Sequence, residues 1–337
     1  MRCLPLADDC GVSPANVRSI LECVEAGALR GTSLLATGAA LEEAAALLGP
    51  KAAADPDLRL GVHLNLLEGF SSAPPSEIPL LADAGGRFRH SLFSLCAALA
   101  LASPARRAAF ADQAAREWQA QVDRVLGALA RAAPGVRLVP YLDGHMHVHA
   151  LPGLRPALER ILKNNAVRHV RVPEEPRYAC SAPFAGWAAG LARRELLAAW
   201  GRSLRRFLAD LGLPAPEFFL GAFASGRMTG QILASGLDRV RALAREEESV
   251  EIMFHPGGYS EEERRLPAGA GGQGKNHLFS VAYYAKKERE EEKKLLLSEE
   301  YRALLAACDP SWPRPPASIS RQGFAGKSLQ SGPSFQS

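Results

Sequence analysis

The sequence predicts an α/β fold built on a mainly parallel sheet. Two observations carry that reading. Short runs of β-type residues alternate with helical periodicities along the chain, and residues able to hold a metal or a proton recur at the carboxyl ends of those runs, where parallel α/β folds build their sites. The chain has 337 residues, 47% of them hydrophobic and 23% charged, enough for one large barrel-type domain or two ordinary ones.

Taken in order, Cys3–Ala7 reads as a short strand ending in Asp8-Asp9, weakened by Pro5, which offers no ladder donor. Ser13-Pro14 then reads as N-cap and first helical position of a helix to about Ala28, with Val17, Ile20, Leu21 and Val24 at helical spacing. Thr32–Thr37 is a second strand and Leu41–Leu48 a second helix. The clearest strand spans 58–67, where Leu58, Leu60, Val62, Leu64 and Leu66 alternate with other residues, so His63 faces away from the leucine row. A Pro/Gly/Ser-rich loop fills 70–90. A long helix covers about Ala105 to Arg131, with Trp118, Val122, Val125 and Leu129 on one stripe.

Val136–Leu142 leads as a strand into a run of histidines. Pro152–Asn164 is helical, Val167–Val172 a strand, Trp187–Leu211 a helix, Phe218–Leu220 a short strand and Ile232–Glu247 a helix. Val250–Phe254 is a strand that delivers His255-Pro256-Gly257-Gly258. Lys286–Lys294 is a dense mixed charge run, read as a solvated helix with paired charges. From Asp309 onward Pro, Ser, Gly and Gln dominate, so 309–337 is expected to be a disordered tail.

Composition excludes several classes. The net charge of +4 is spread through the chain rather than gathered in a basic stripe, which argues against nucleic acid as a partner. The six cysteines form no CxxC pair and read as reduced, mostly buried thiols. Asp8 and Asp9 arrive before an apolar signal region could form, and the longest apolar run, 92–102, is too short to span a bilayer. A cytoplasmic protein without an integral membrane segment is the expectation.

The chemistry gathers at Asp143-Gly144-His145-Met146-His147-Val148-His149, which holds three of the eight histidines. An extended backbone would put Asp143, His145, His147 and His149 on one face. Histidines can simply bond one another in a core, but His is also the commonest metal ligand and the natural proton carrier near neutral pH, and we favour a metal or catalytic site. Asp8-Asp9 could place one carboxylate on a metal and leave the other free as a base. With His63 and His145 that makes a two-histidine, one-carboxylate shell, and Asp8 could then take a proton from water. His255, before a Pro-Gly-Gly turn, could donate a proton to a leaving amine. His90, His169 and His277 have no such context and receive no role. Gly269–Asn276 nearly fits a phosphate-binding loop, but Asn276 replaces the required hydroxyl, and we read it as a flexible loop. No GxSxG elbow supports a nucleophilic serine.

Four motifs, Ala7-Asp8-Asp9-Cys10-Gly11-Val12-Ser13, Gly61-Val62-His63-Leu64-Asn65-Leu66, Asp143–His149 and Phe254-His255-Pro256-Gly257, resemble in order and spacing those of the YdjC-like carbohydrate deacetylases. The resemblance covers about 1–308. It implies a single-domain, distorted TIM-like (β/α) barrel that removes an N-acetyl group from an amino sugar or glycoconjugate with one divalent ion, Mg2+ or Zn2+. It further implies that Asp9, His63 and His145 are the metal ligands, Asp8 the base and His255 the acid. Asp143, His147, His149, Asn65 and Arg171 would orient ligands or touch substrate, and a homodimer is compatible with the family. Cys10 departs from the family, which usually has phenylalanine there, and brings a thiol that could compete for the metal. The same shell could instead serve another amide or a phosphoester, or the protein could bind glycans without turnover.

Overall fold

A computed structural model describes residues 1–134, 141–180, 186–265 and 281–312. The expected Val136–Leu142 strand therefore falls partly outside the described residues. The Gly269–Asn276 loop, His277 and residues 313–337 of the expected tail fall wholly outside them.

Strand β1 (Arg2–Cys10) leads through the Ser13 cap into α1 (Pro14–Glu25), where the Ser13 hydroxyl accepts the Asn16 N–H as a capping residue should. β2 (Gly31–Leu34), α2 (Leu41–Ala54) and β3 (Arg59–Leu64) follow. After the 70–90 loop come α3 (Leu92–Leu101) and the long α4 (Pro104–Ala132), which buries Phe110, Ala114, Trp118, Val122, Val125 and Leu129 along one stripe. Next are β4 (Tyr141–Gly144), α5 (Arg155–Asn164), the two-residue β5 (His169–Val170), α6 (Trp187–Asp210), β6 (Phe218–Leu220), α7 (Gly230–Arg241) and β7 (Ser249–Phe254). Four short helices close the described chain: α8 (Glu261–Arg265), α9 (Val281–Tyr284), α10 (Lys287–Leu296) and α11 (Glu299–Cys308).

All seven strands lie in one parallel sheet, in the order β5-β4-β3-β2-β1-β7-β6. Glu251 of β7 reaches His169 of β5 at 3.1 Å, although four strands separate them in the sheet. Such a contact requires the sheet to curl, and the product is the expected distorted barrel. Among the described residues no ladder joins β5 to β6, so it stays open on that side. The interior is polar where it meets the site and tight below it. Gly61 on β3 leaves room for the Tyr141 ring, which a Cβ there would meet at 2.5 Å.

Pro5 sits in the middle of the sheet rather than at its edge. Its carbonyl accepts the Arg30 N–H, and its missing donor faces the stretch before β2 begins. On the same side the Cys3 N–H donates to Asp309 Oδ2 at 2.8 Å. Packing continues beyond residue 308: Trp312 is buried, with Arg30 over its ring. No helix is long and apolar enough to cross a membrane among the described residues, and none of the six cysteines is joined in a disulfide there.

Candidate active site and metal centre

Two neighbouring aspartates cannot both face inward from a regular strand, because successive side chains point to opposite sides. A bulge resolves this. Ala7 pairs with Thr32 but Cys10 pairs with Leu34, so β1 carries one extra residue at Asp8-Asp9, and Asp9 takes a left-handed conformation with φ 62°. Both carboxylates are buried against one cavity of about 290 Å3, whose wall also includes His63, Glu68, His145, His147 and His255.

Asp9 is the convergence point. Its Oδ1 lies 3.0 Å from His145 Nδ1 and 3.3 Å from His63 Nε2, while Oδ2 accepts from Arg289 Nη2 at 2.8 Å. Despite burial, the two imidazoles and the guanidinium hold its carboxyl well below the usual range. His63 and Asp143 are directly paired across β3 and β4. His63 Nδ1 donates to Asp143 Oδ1 at 2.8 Å, which leaves Nε2 aimed at Asp9, and a carboxylate behind an imidazole is the usual support of a metal-binding histidine. Ser33 Oγ donates to Asp143 Oδ2 at 2.8 Å and Arg171 Nη2 lies 3.0 Å from the same oxygen.

Donor atoms of Asp9, His63 and His145 all lie within 4.8 Å of one another, as do those of Asp8, His63 and Asp143. The first set is the less committed of the two, because both Asp8 oxygens accept from Arg171 and Asp143 divides its oxygens between His63 and Arg171. Charge supports the fit. Burial pushes both histidines down, yet Asp143, Asp9 and Asp8 lift His63 to about 10, and Asp9 and Glu68 lift His145 to about 9. The carboxylates thus demand positive charge at the place where a divalent cation would supply it.

Asp8 is not the free carboxylate expected. Both its oxygens accept from Arg171, at 2.5 and 2.7 Å. Burial raises its carboxyl to about 6, against the pull of Arg171 and with help from Asp143. Arg171 itself is fully buried, is not among the residues lining the cavity, and also binds Glu251, so it ties carboxylates together. Asn65 is a turn residue: its Oδ1 accepts the Leu67 N–H and its Nδ2 donates to the Glu68 carbonyl. That turn presents Glu68, whose Oε2 lies 3.5 Å from His145 Nε2.

The histidine run is not extended, and its members do not share a face. β4 stops at Gly144, and residues 145–150 form a helical turn in which Met146 and His147 take left-handed φ of 50° and 58°. Of the three histidines in the run, only His145 reaches Asp9. His147 lines the cavity with its ring edge-on to Phe219, and burial and Arg171 keep it neutral. His149 lies behind, 3.0 Å from the Arg171 carbonyl, held to about 4 mainly by burial. Asp9, Met146 and His147 are the only non-glycine residues with positive φ among the described residues, and all three border the cavity. Strain of this kind, on the order of 1–3 kcal/mol per residue, concentrates at functional sites.

His255 enters from the end of β7. Its backbone N–H donates to Glu292 Oε2 at 2.6 Å, and its Nδ1 is buried without a partner. Burial outweighs the nearby Asp9, and Arg289 and Arg171 add to it, so the ring is held to about 3 and stands neutral. Cys10 does not compete for a metal. Its side chain packs in the apolar core, and burial raises the thiol to about 12.

Several residues of the site carry no signal in the sequence: Ser33, Glu68, Glu251, Arg289 and Glu292. His169, given no role, binds Glu251 in the barrel interior. The charge run of α10 is not uniformly solvated, since Arg289 and Glu292 are each 1% exposed.

Comparison with known proteins gives the family and the fold. Carbohydrate deacetylases of Homo sapiens and Mus musculus are each 31% identical to the chain; the alignments cover 76% of it and 75% of the human protein, and 84% of it and 85% of the mouse protein. A structure from Enterococcus faecalis V583, described as a cellobiose-phosphate cleavage protein, shares the fold with a TM-score of 0.61 at 20% identity, over 91% of this chain and 94% of that one. The family model for YdjC-like protein matches residues 6–307, and the chain belongs to that family.

Proposed function

We propose that this protein is a metal-dependent carbohydrate deacetylase that hydrolyses the acetamide of an N-acetylated sugar. One observation carries the reading: the donor atoms of Asp9, His63 and His145 cluster at the same cavity that Asp8 and His255 line. Two imidazoles and a carboxylate suit zinc, and magnesium is the alternative if water fills more of the shell. Such an ion, when bound, polarises a carbonyl and acidifies water towards neutral pH.

The chain's own residues do the rest. Arg171 holds Asp8 in one orientation, and burial makes Asp8 basic enough to take a proton near neutrality. Water adds to the carbonyl carbon as its proton passes to Asp8. The C–N bond then breaks, and the departing nitrogen takes a proton from His255. A neutral imidazole can do this as a relay, giving its N–H proton while its bare nitrogen takes one up. Acetate and the free amine are the products.

The test is acetate release from a panel of N-acetylated sugars, with metal content measured on the same samples. Asp8→Asn is expected to keep the metal and lose acetate release, whereas His63→Ala loses the metal itself. Normal acetate release by either variant refutes the mechanism.

A further inference from the structure

Arg289 and Glu292 lie one turn apart on α10, buried, while Lys287, Glu290, Glu291 and Lys294 of the same helix are exposed. Arg289 uses both terminal nitrogens of its guanidinium, while its buried Nε has no hydrogen-bond partner among the described residues. Nη2 donates to Asp9 Oδ2 at 2.8 Å and Nη1 to the Gly257 carbonyl at 3.2 Å, while the Gly257 N–H donates back to the Arg289 carbonyl at 3.2 Å. Its Cζ lies over the Tyr283 and Tyr284 rings, 4.7 and 4.2 Å from their centroids. Burying such a cation is expensive unless its partner is also a buried charge, and Asp9 is that partner, 2% exposed.

We propose that Arg289 is a positioning residue of the metal centre, holding Asp9 by Oδ2 so that Oδ1 stays turned to His63 and His145. The inference rests on the metal-dependent reading above. It explains why a left-handed aspartate on a bulge, which has no regular ladder to fix its side chain, keeps one orientation. Lysine would bring a single nitrogen where arginine sets two separate ones, each on its own acceptor.

The test uses full-length wild type, Arg289→Met and Arg289→Lys. Each is stripped of metal, shown to be folded by circular dichroism, and titrated with zinc by calorimetry. Outer-sphere partners of this kind are worth about 10–100-fold in metal affinity. We expect a loss of about that size for Arg289→Met and an intermediate loss for Arg289→Lys. A crystal structure of metal-free Arg289→Met is expected to show Asp9 rotated away from His145. Wild-type zinc affinity in both variants, or an Asp9 that does not move, overturns the proposal. Should Arg289→Met fail to fold, wild-type affinity in Arg289→Lys overturns it alone. If wild type itself binds no divalent ion, the metal reading fails, while the position of Asp9 in the variant still decides the role of Arg289.

Discussion

The histidine run at 145–149 and the charge run at 286–294 behave in opposite ways. The first is rich in metal-binding side chains, yet only His145 reaches Asp9, and His149 turns its ring to a backbone carbonyl. The second has the composition of a solvated helix face, yet Arg289 reaches Asp9 and Glu292 holds the backbone N–H groups of Met228 and His255. Density of reactive side chains says little about where they point. In the first region a left-handed kink redirects the chain; in the second, helical phase selects two buried positions from a uniform-looking run.

Point substitutions can break or sharpen this contrast. The largest effect is expected at His145→Ala, which should lose bound metal and lower acetate release by about three orders of magnitude, on the scale of losing a whole catalytic element. Metal content near wild type in that variant would place the ion elsewhere. Glu292→Gln comes next. Glutamine offers one acceptor oxygen where two N–H donors converge, so a loss of about 1–3 kcal/mol is expected in denaturant titration.

That substitution also carries a pH signature. Burial raises Glu292 to about 7 in the fold. A raised folded value means its stabilisation is fully present below the unfolded value, about 4.3, and is lost as pH rises through 7. Between pH 5 and 8 the melting-temperature gap between wild type and Glu292→Gln should therefore narrow, and a widening gap would contradict the assignment.

A smaller effect is expected at His149→Gln. It should keep the full metal content and cost about 1 kcal/mol of stability through its one hydrogen bond; loss of metal would show that His149 belongs to the shell after all. Smallest of all are Glu290→Ala and Lys294→Ala on the exposed face of α10, each within about 0.5 kcal/mol of wild type.

Much of the site is legible in the amino-acid sequence. His63, Asp8, Asp9 and His255 stand out because they follow period-two runs, and strand ends in a parallel sheet face one mouth. Less visible are features that depend on a single extra residue or on distant partners. Nothing in Asp8-Asp9 announces the bulge that turns both inward, and nothing in Thr32-Ser33 announces a hydroxyl bound to Asp143. Glu251 reads as one more residue of an apolar strand, until the curling of the sheet sets it against His169 and Arg171 of the opposite side. The extended reading of 145–149 fails because alternation holds only while the strand lasts, and β4 ends at Gly144.

The pairing of Asp9 with Arg289 spans 280 residues. A ribosome therefore releases the carboxylate long before its guanidinium. Until α10 emerges, the growing chain holds Asp8, Asp9 and Asp143 without one of the two cations that answer them, and the first strand lacks the Asp309 that caps Cys3. If Arg289 positions Asp9 as proposed, the orientation of that carboxylate is fixed only once α10 has packed against the end of the first strand.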